Sequence, residues 1–441
     1  MPKFLLTRHT VAFIIERGCL KLDEFYISAK DKAYLRELAK KQAEYAALPV
    51  MAERTKQWYA HNAVKGVKPL IVVEQGSFGR DFLPEMKCEG KFAADLERQL
   101  LSKILQHERI DDDIVVPGVF EVYMDVECRE FGVPVQIHHA TDTKGRDVGY
   151  EFSYPIKSLE KDFNKLKPFE FNFDRKRFAD KLAAVREAIG DILPCVPTNR
   201  HHVWYYMHTA KVIQLLSMEQ WMYELADNPD AVHQLMRYLN DNMLRFIDWL
   251  EREKLFTPDN GNNYAGAGSY GFTDELKIPA DGKPMAKNVW GNVNSQESFA
   301  ISPDMYAEFV YPYIAEIAER FGLVYYGCCE PVHALWHKCL KNLPNMRKVS
   351  ISAWCDEDIM GEALRGTKVI YSRKPSPKFL GVDPVFDEDG YRKYMKDTLS
   401  KARGCEIEII FRDVYTLMGD PGRPAKAVKV LREVIEDCWR P

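Results

Sequence analysis

Apolar positions along this chain follow two rhythms. Up to about residue 110 they fall at helical spacing in charged surroundings. Residues 29–57 are rich in Ala, Leu, Lys and Glu, and Phe92, Leu96, Leu100 and Leu101 mark one face of a helix over 91–107. Between these segments 69–73 is a short apolar run that reads as a strand, followed by the turn-prone Gly76-Ser77-Phe78-Gly79. From about residue 111 short apolar runs alternate with helical segments. The runs are 114–120, 191–196, 255–258, 287–291, 323–327, 347–353, 368–372 and 406–411. Such alternation implies right-handed crossovers and a parallel sheet. Eight repeats over this length predict an α/β fold, a (β/α)8 TIM barrel over 111–441, with a mostly helical N-terminal extension, 1–110, packed on it.

Several helices carry clear start signals. Ser217 opens one with a capping box, Asn228-Pro229 restarts it, and Val232, Leu235, Met236, Leu239, Met243, Ile247 and Leu250 form one apolar face. Ser302-Pro303 places a cap and a first-turn proline before another helix. The last helix begins near Pro424 and buries Val428, Leu431, Val434 and Ile435. The polar insertion 138–173 reads as a hairpin, with a turn at Asp142-Thr143-Lys144-Gly145-Arg146.

Composition narrows the function classes. With 46% hydrophobic and 29% charged residues the chain is globular and soluble. A net charge of −4 without a basic block argues against a nucleic-acid partner. No stretch approaches the ~20 apolar residues of a membrane span. Arg8, His9, Glu16 and Arg17 break the apolar start, so no signal peptide is expected. Ten cysteines lack a short repeating framework, so reduced thiols in a cytoplasm are expected.

The positions just past each predicted strand are polar, aromatic and thiol-bearing, as the active face of a barrel should be. Cys328, Cys329 and Glu330 follow the aromatic run 323–326. Two thiols and a carboxylate suit a soft divalent metal, above all zinc; they are equally two buried cysteines and a capping Glu. Residues 200–208 pack His201, His202 and His208 with Trp204, Tyr205 and Tyr206, either an aromatic pocket with a proton donor or a packed loop. Arg373 and Lys374 end a strand and can hold a carboxylate or phosphate, or be a solvated pair. Asp413 is a metal ligand, a general base, or a partner for Arg412.

Longer motifs carry a family resemblance. Residues 113–120 and 131–135, then 326–331, 348–354, 371–377 and 408–414, resemble the uroporphyrinogen decarboxylase superfamily over about 110–438. The later segments look like its branch of corrinoid-dependent methyltransferases, such as the methyltransferase components of O-demethylases. The superfamily is a TIM barrel. The N-terminal arginine pair that grips porphyrin carboxylates in the true decarboxylases is absent here. The related methyltransferases bind zinc through a His-x-Cys pair and a later Cys; Cys329 matches the first Cys, Gly327 replaces the His, and Asp413 lies near the later Cys.

The resemblance implies a methyltransferase that moves a methyl group from a small methylated substrate to a separate corrinoid protein. The chain has no cobalamin-binding Asp-x-His-x-x-Gly motif, so the cobalamin belongs to that partner. Candidate metal ligands are Cys329, Glu330 and Cys328, with zinc as Lewis acid. Glu330, His208 and Asp413 are the catalytic candidates. Tyr205, Tyr206, Asn263, Tyr264, Trp290, Gln296, Trp354, Arg373 and Lys374 are the substrate-binding candidates, and their aromatics favour an aryl methyl ether. The alternatives are a decarboxylase or lyase using Arg373 and Lys374, or a non-catalytic corrinoid- or tetrapyrrole-binding accessory protein.

Overall fold

The computed structural model describes residues 24–143 and 147–439, and the backbone of a hairpin pairing Phe13–Glu16 with Cys19–Leu22. The turn positions 144–146 and residues 8, 9 and 17, used above against a leader, lie outside the described residues. Among the described residues no helix is long and apolar enough to cross a membrane.

The fold is mixed α/β. Its parallel strands are β1 Leu70–Val73, β2 Phe120–Tyr123, β3 Cys195–Thr198, β4 Trp290–Val293, β5 Leu323–Tyr326, β6 Met346–Ile351, β7 Ile370–Arg373 and β8 Ile407–Phe411. Six of them form one parallel sheet in the order β4-β5-β6-β7-β8-β1. The other two, β2 and β3, form a separate parallel pair. Helices separate the strands along the chain, the longest being Pro229–Arg252, whose apolar positions are buried as expected. The insertion forms the predicted hairpin, Ile137–Thr141 against Asp147–Phe152.

Three expectations need correction. The first is the boundary at residue 110: β1 comes from the supposed extension and pairs with β8, so the sheet is incomplete without it. The second is the single helical region 29–57, which is two helices, Ala29–Ala46 and Pro49–Asn62. Pro49 cannot continue the first helix and starts the second. The third concerns two apolar runs. In 114–119 no strand forms, because Asp112 and Asp113 reach across with their carboxylates to the amides of Val73 and Ile71, at 2.7 Å each. These side chains satisfy the β1 edge that a neighbouring strand would otherwise cover. Residues 255–258 are likewise held by a side chain, since Asn199 Nδ2 donates to Leu255 O at 3.0 Å.

The sheet has an ionic interior on one side. Glu408, the second residue of β8, is fully buried. One carboxylate oxygen accepts from Lys348 Nζ at 3.0 Å and from Ser269 Oγ at 2.8 Å, and lies 3.2 Å from His61 Nε2. The other accepts from Ser372 Oγ at 2.6 Å. His61 comes from Pro49–Asn62, and Glu406 takes its Nδ1 at 2.8 Å. Burial opposes the charge on Glu408, but Lys348, His61 and Lys374 outweigh it and hold its carboxyl well below the usual range. Burial pulls the single ammonium of Lys348 down. His61 moves up: burial opposes its cation, and the two glutamates overcome it.

Removing one partner from such a network leaves the others charged and unpaired in a dry interior. Glu408→Ala is expected to cost about 3–5 kcal/mol in denaturant unfolding. Lys30→Ala, which breaks only an exposed pair with Glu89, should change stability immeasurably. Equal effects from the two would contradict the buried network.

Candidate active site

The carboxyl ends of β5, β7 and β8 converge on one cleft. After β5 the ladder runs one residue further, with Gly327 N donating to Val293 O at 2.8 Å. Gly327 then turns at φ +94, where a Cβ would sit 3.2 Å from Ser350 Cβ. Gly327 is therefore a conformational glycine, because a side chain here is strained as well as crowded. The turn delivers Cys328 and Cys329, whose sulfurs lie 3.4 Å apart.

Glu330 fixes this turn from within. It is buried, and its carboxylate accepts from Cys328 N at 2.8 Å and Ser295 N at 3.2 Å. Burial raises its pKa against the pull of these amides. Both oxygens thus serve the backbone of two loops.

The end of β8 supplies the opposite wall. Asp413 adopts φ +57, a left-handed conformation that Asp tolerates better than most residues. Its Oδ2 accepts from Cys329 Sγ at 3.2 Å. The Cys329 thiol is pushed far up, first by its hydrogen bond to Cys328, then by burial and Asp413, all of which disfavour its thiolate. Cys328 moves down, because its contact with the Cys329 thiol and the nearby Arg412 favour its thiolate against burial. Arg412 Nε stands 3.4 Å from Glu74 Oε2, and its guanidinium sits 5.4 Å above the Trp204 ring. Glu74 in turn accepts from Tyr264 OH at 2.9 Å.

Lys374, just past β7, forms the floor. It is buried, and Nζ donates to Tyr325 OH and Ser372 Oγ at 2.7 Å each. Burial drags its pKa down to about 7; Glu408 resists this and Arg412 adds to it. Cys328, Cys329, Lys374, Arg412 and Asp413 line a cleft of about 570 Å³. Trp354 and Tyr415 stand at its mouth, 74% and 75% exposed. A second cavity of about 580 Å³ shares Gln296, Cys329 and Trp354 with it and adds Phe299, which is 65% exposed.

Several expected site residues lie elsewhere. His208 is fully buried with Nε2 at 3.0 Å from Asn240 Oδ1, and burial pushes its imidazole down to about 4. Tyr205 packs 4.2 Å from the Phe246 ring under the Lys211 ammonium, and Tyr206 lies edge-on to it. Trp290 donates its indole N–H to Gly271 O at 2.9 Å inside the core. Asn263 N donates to Gly261 O at 2.8 Å within its own loop. None of these five borders either cavity. Tyr264 reaches the site through Glu74 and through the Trp204 ring beneath Arg412. Arg373 is committed to Glu357 and Tyr394 at 2.6 Å and to two carbonyls of the β6 end.

Sequence reasoning passed over Glu74, Arg412 and Phe299. Glu74 follows the apolar run 69–73 directly, so the rule applied to the other strand ends would have found it. Arg412 was visible only as the neighbour of Asp413, and nothing in the sequence marks Phe299.

Zinc does not fit the side chains as they stand. Glu330 is spent on amides, and among the described residues no group of three or more His, Cys, Asp or Glu is placed to hold a metal ion. The expected ligand set of Cys328, Cys329 and Glu330 reduces to two thiols beside the Asp413 carboxylate.

No family model matches the chain, and no curated protein matches it. Among solved structures, a methyltransferase from Methanosarcina mazei is similar over 87% of this chain and 98% of that one, at 13% identity and a TM-score of 0.46. That likeness carries no argument about chemistry.

Protein purified under reducing conditions is expected to carry zinc well below one ion per chain, as read by plasma emission. One zinc per chain that disappears in Cys329→Ser would contradict this reading of the donors.

Proposed function

We propose that this chain is a cytoplasmic methyltransferase, taking a methyl group from a small donor, preferably an aryl methyl ether, and delivering it to the cobalt of a separate corrinoid protein. On this reading the six-stranded sheet and the β2–β3 pair are arcs of one (β/α)8 barrel. The observation that carries the proposal is Lys374: a buried amine with a pKa near 7 at the floor of an open cleft whose mouth is aromatic. The family resemblance of the strand-end motifs supplies the reaction class.

The chemistry follows from the leaving group. Breaking the oxygen–methyl bond leaves negative charge on a phenolic oxygen, which departs readily only when that charge is neutralised. Lys374 Nζ, protonated near neutral pH, donates the proton as the charge develops. Arg412, raised above its usual pKa by Glu74 against its own burial, keeps a permanent positive charge beside the same floor. Trp354 and Tyr415 offer faces on which an aryl ring stacks. Cys329 and Asp413, joined at 3.2 Å, shape the wall opposite Lys374 and hold the β5 and β8 loops together. The corrinoid supplies the nucleophile that accepts the methyl group. The exposed rim of Phe299, Trp354 and Tyr415 leaves the cleft open to a ring carried on another protein.

The decarboxylase alternative relied on Arg373 and Lys374 acting together. With Arg373 engaged by Glu357 and Tyr394, its NH groups are not presented to a substrate carboxylate.

Single-turnover transfer to a reduced corrinoid protein, followed by the absorbance change of the cobalt, tests the reading. Lys374→Met should slow it by roughly 100-fold or more. In the unaltered chain the acid form of Lys374 is present below pH about 7 and lost above it, so the rate should fall as pH rises through that value. No methyl transfer from any ether, amine or thioether, with carbon dioxide released from a carboxylated substrate, would overturn the proposal.

A further inference from the structure

We propose that Cys328 and Cys329 form a redox modification site, in which an oxidant of the peroxide class joins the two neighbouring sulfurs as a disulfide that a dithiol reverses. The inference does not rest on methyl transfer; it follows from how the two thiols are held.

The sulfurs already lie 3.4 Å apart. A disulfide needs about 2.0 Å, so only side-chain rotation and a modest backbone adjustment separate the two states. Gly327, at φ +94 immediately before the pair, has the backbone freedom to supply the adjustment. Both thiols line the open cleft, so a small oxidant reaches them without unfolding. Other thiols are occupied otherwise: Cys195 donates to Leu193 O and Cys405 to Gly361 O, at the amino ends of their strands, and Cys355 lies against Ser352 Oγ and Glu330 O.

The reaction balances with the peroxide alone. One thiol sulfur attacks a peroxide oxygen, the O–O bond breaks, and a sulfenic acid and one water result. The second sulfur displaces that oxygen, the S–S bond forms, and a second water leaves. Two electrons pass from sulfur to peroxide, and both thiol protons end in water. Cα atoms across a trans peptide are about 3.8 Å apart, closer than the ~4.4 Å lower limit of ordinary disulfides, so the bond is strained. Strained disulfides are the easily reduced ones, which is what a reversible modification requires. Closing the ring also removes the Cys329 hydrogen bond to Asp413 and with it a link between the β5 and β8 loops.

The test uses the full chain, one equivalent of hydrogen peroxide, a catalase quench, alkylation under denaturing conditions, proteolysis and mass spectrometry. The peptide holding Cys328 and Cys329 should escape alkylation and lose the mass of two hydrogens, and dithiothreitol should restore both alkylations. In Cys329→Ser the loss of two hydrogens should vanish while Cys328 takes up oxygen. Should that variant fail to fold, phenylarsine oxide with the unaltered chain gives a second reading: one arsenical bound per chain, blocking alkylation of both thiols. Full alkylation of both cysteines after peroxide, overoxidation without a disulfide, or a bridge from either to Cys355 would overturn the proposal.

Discussion

The rest of the structure depends on one buried carboxylate. Glu408 sits on β8, the strand next to one edge of the six-stranded sheet, with no exposure, and charge there is tolerable only because its partners surround it. Those partners come from far along the chain: His61 from an N-terminal helix, Ser269 from a short antiparallel hairpin before β4, Lys348 from β6 and Ser372 from β7. Each must be in register for the network to close. A shift of one residue in β6 or β7 would turn Lys348 or Ser372 to the opposite face. The network therefore specifies the sheet at least as much as it stabilises it.

The same constraint reaches the cleft. Ser372 bonds both Glu408 and Lys374, so the buried charge on β8 is two hydrogen bonds from the cleft floor. Burial lowers the affinity of Lys374 for its proton, and the distant carboxylate limits how far it falls. The result is an amine able to give up a proton near neutrality, held by Tyr325 and Ser372 rather than swinging in solvent. Above it, the β5 and β8 loops meet through Cys329 and Asp413. Scaffold and cleft floor are one hydrogen-bonded chain running from His61 through Glu408 and Ser372 to Lys374.

Much of the parallel sheet was legible in the sequence because buried parallel strands are short apolar runs between helices. The five runs that became β4 to β8 have that character, and their ends mark most of the cleft. Runs 114–120 and 255–258 misled because apolar residues also fill loops beside a sheet, where Asp112, Asp113 and Asn199 satisfy the backbone instead of a strand. The ionic interior was invisible, since a Lys in β6 and a Glu in β8 acquire meaning only once register sets them face to face. Residues 201–208 misled differently. Clustered rings suggest a pocket, but Tyr205 and Tyr206 spend their faces on Phe246 and each other. Cys329, Trp354, Lys374 and Asp413 were found because position past a strand end is a local property that needs no register.

A lysine tuned by the sheet interior gives up its proton near neutral pH, and Lys374 is that lysine. A nuclear magnetic resonance titration of lysine side chains, with the Lys374 signal assigned by Lys374→Arg, measures this directly. The account predicts a midpoint at about 7 for Lys374. A midpoint near the ordinary lysine value of about 10.4 would contradict it.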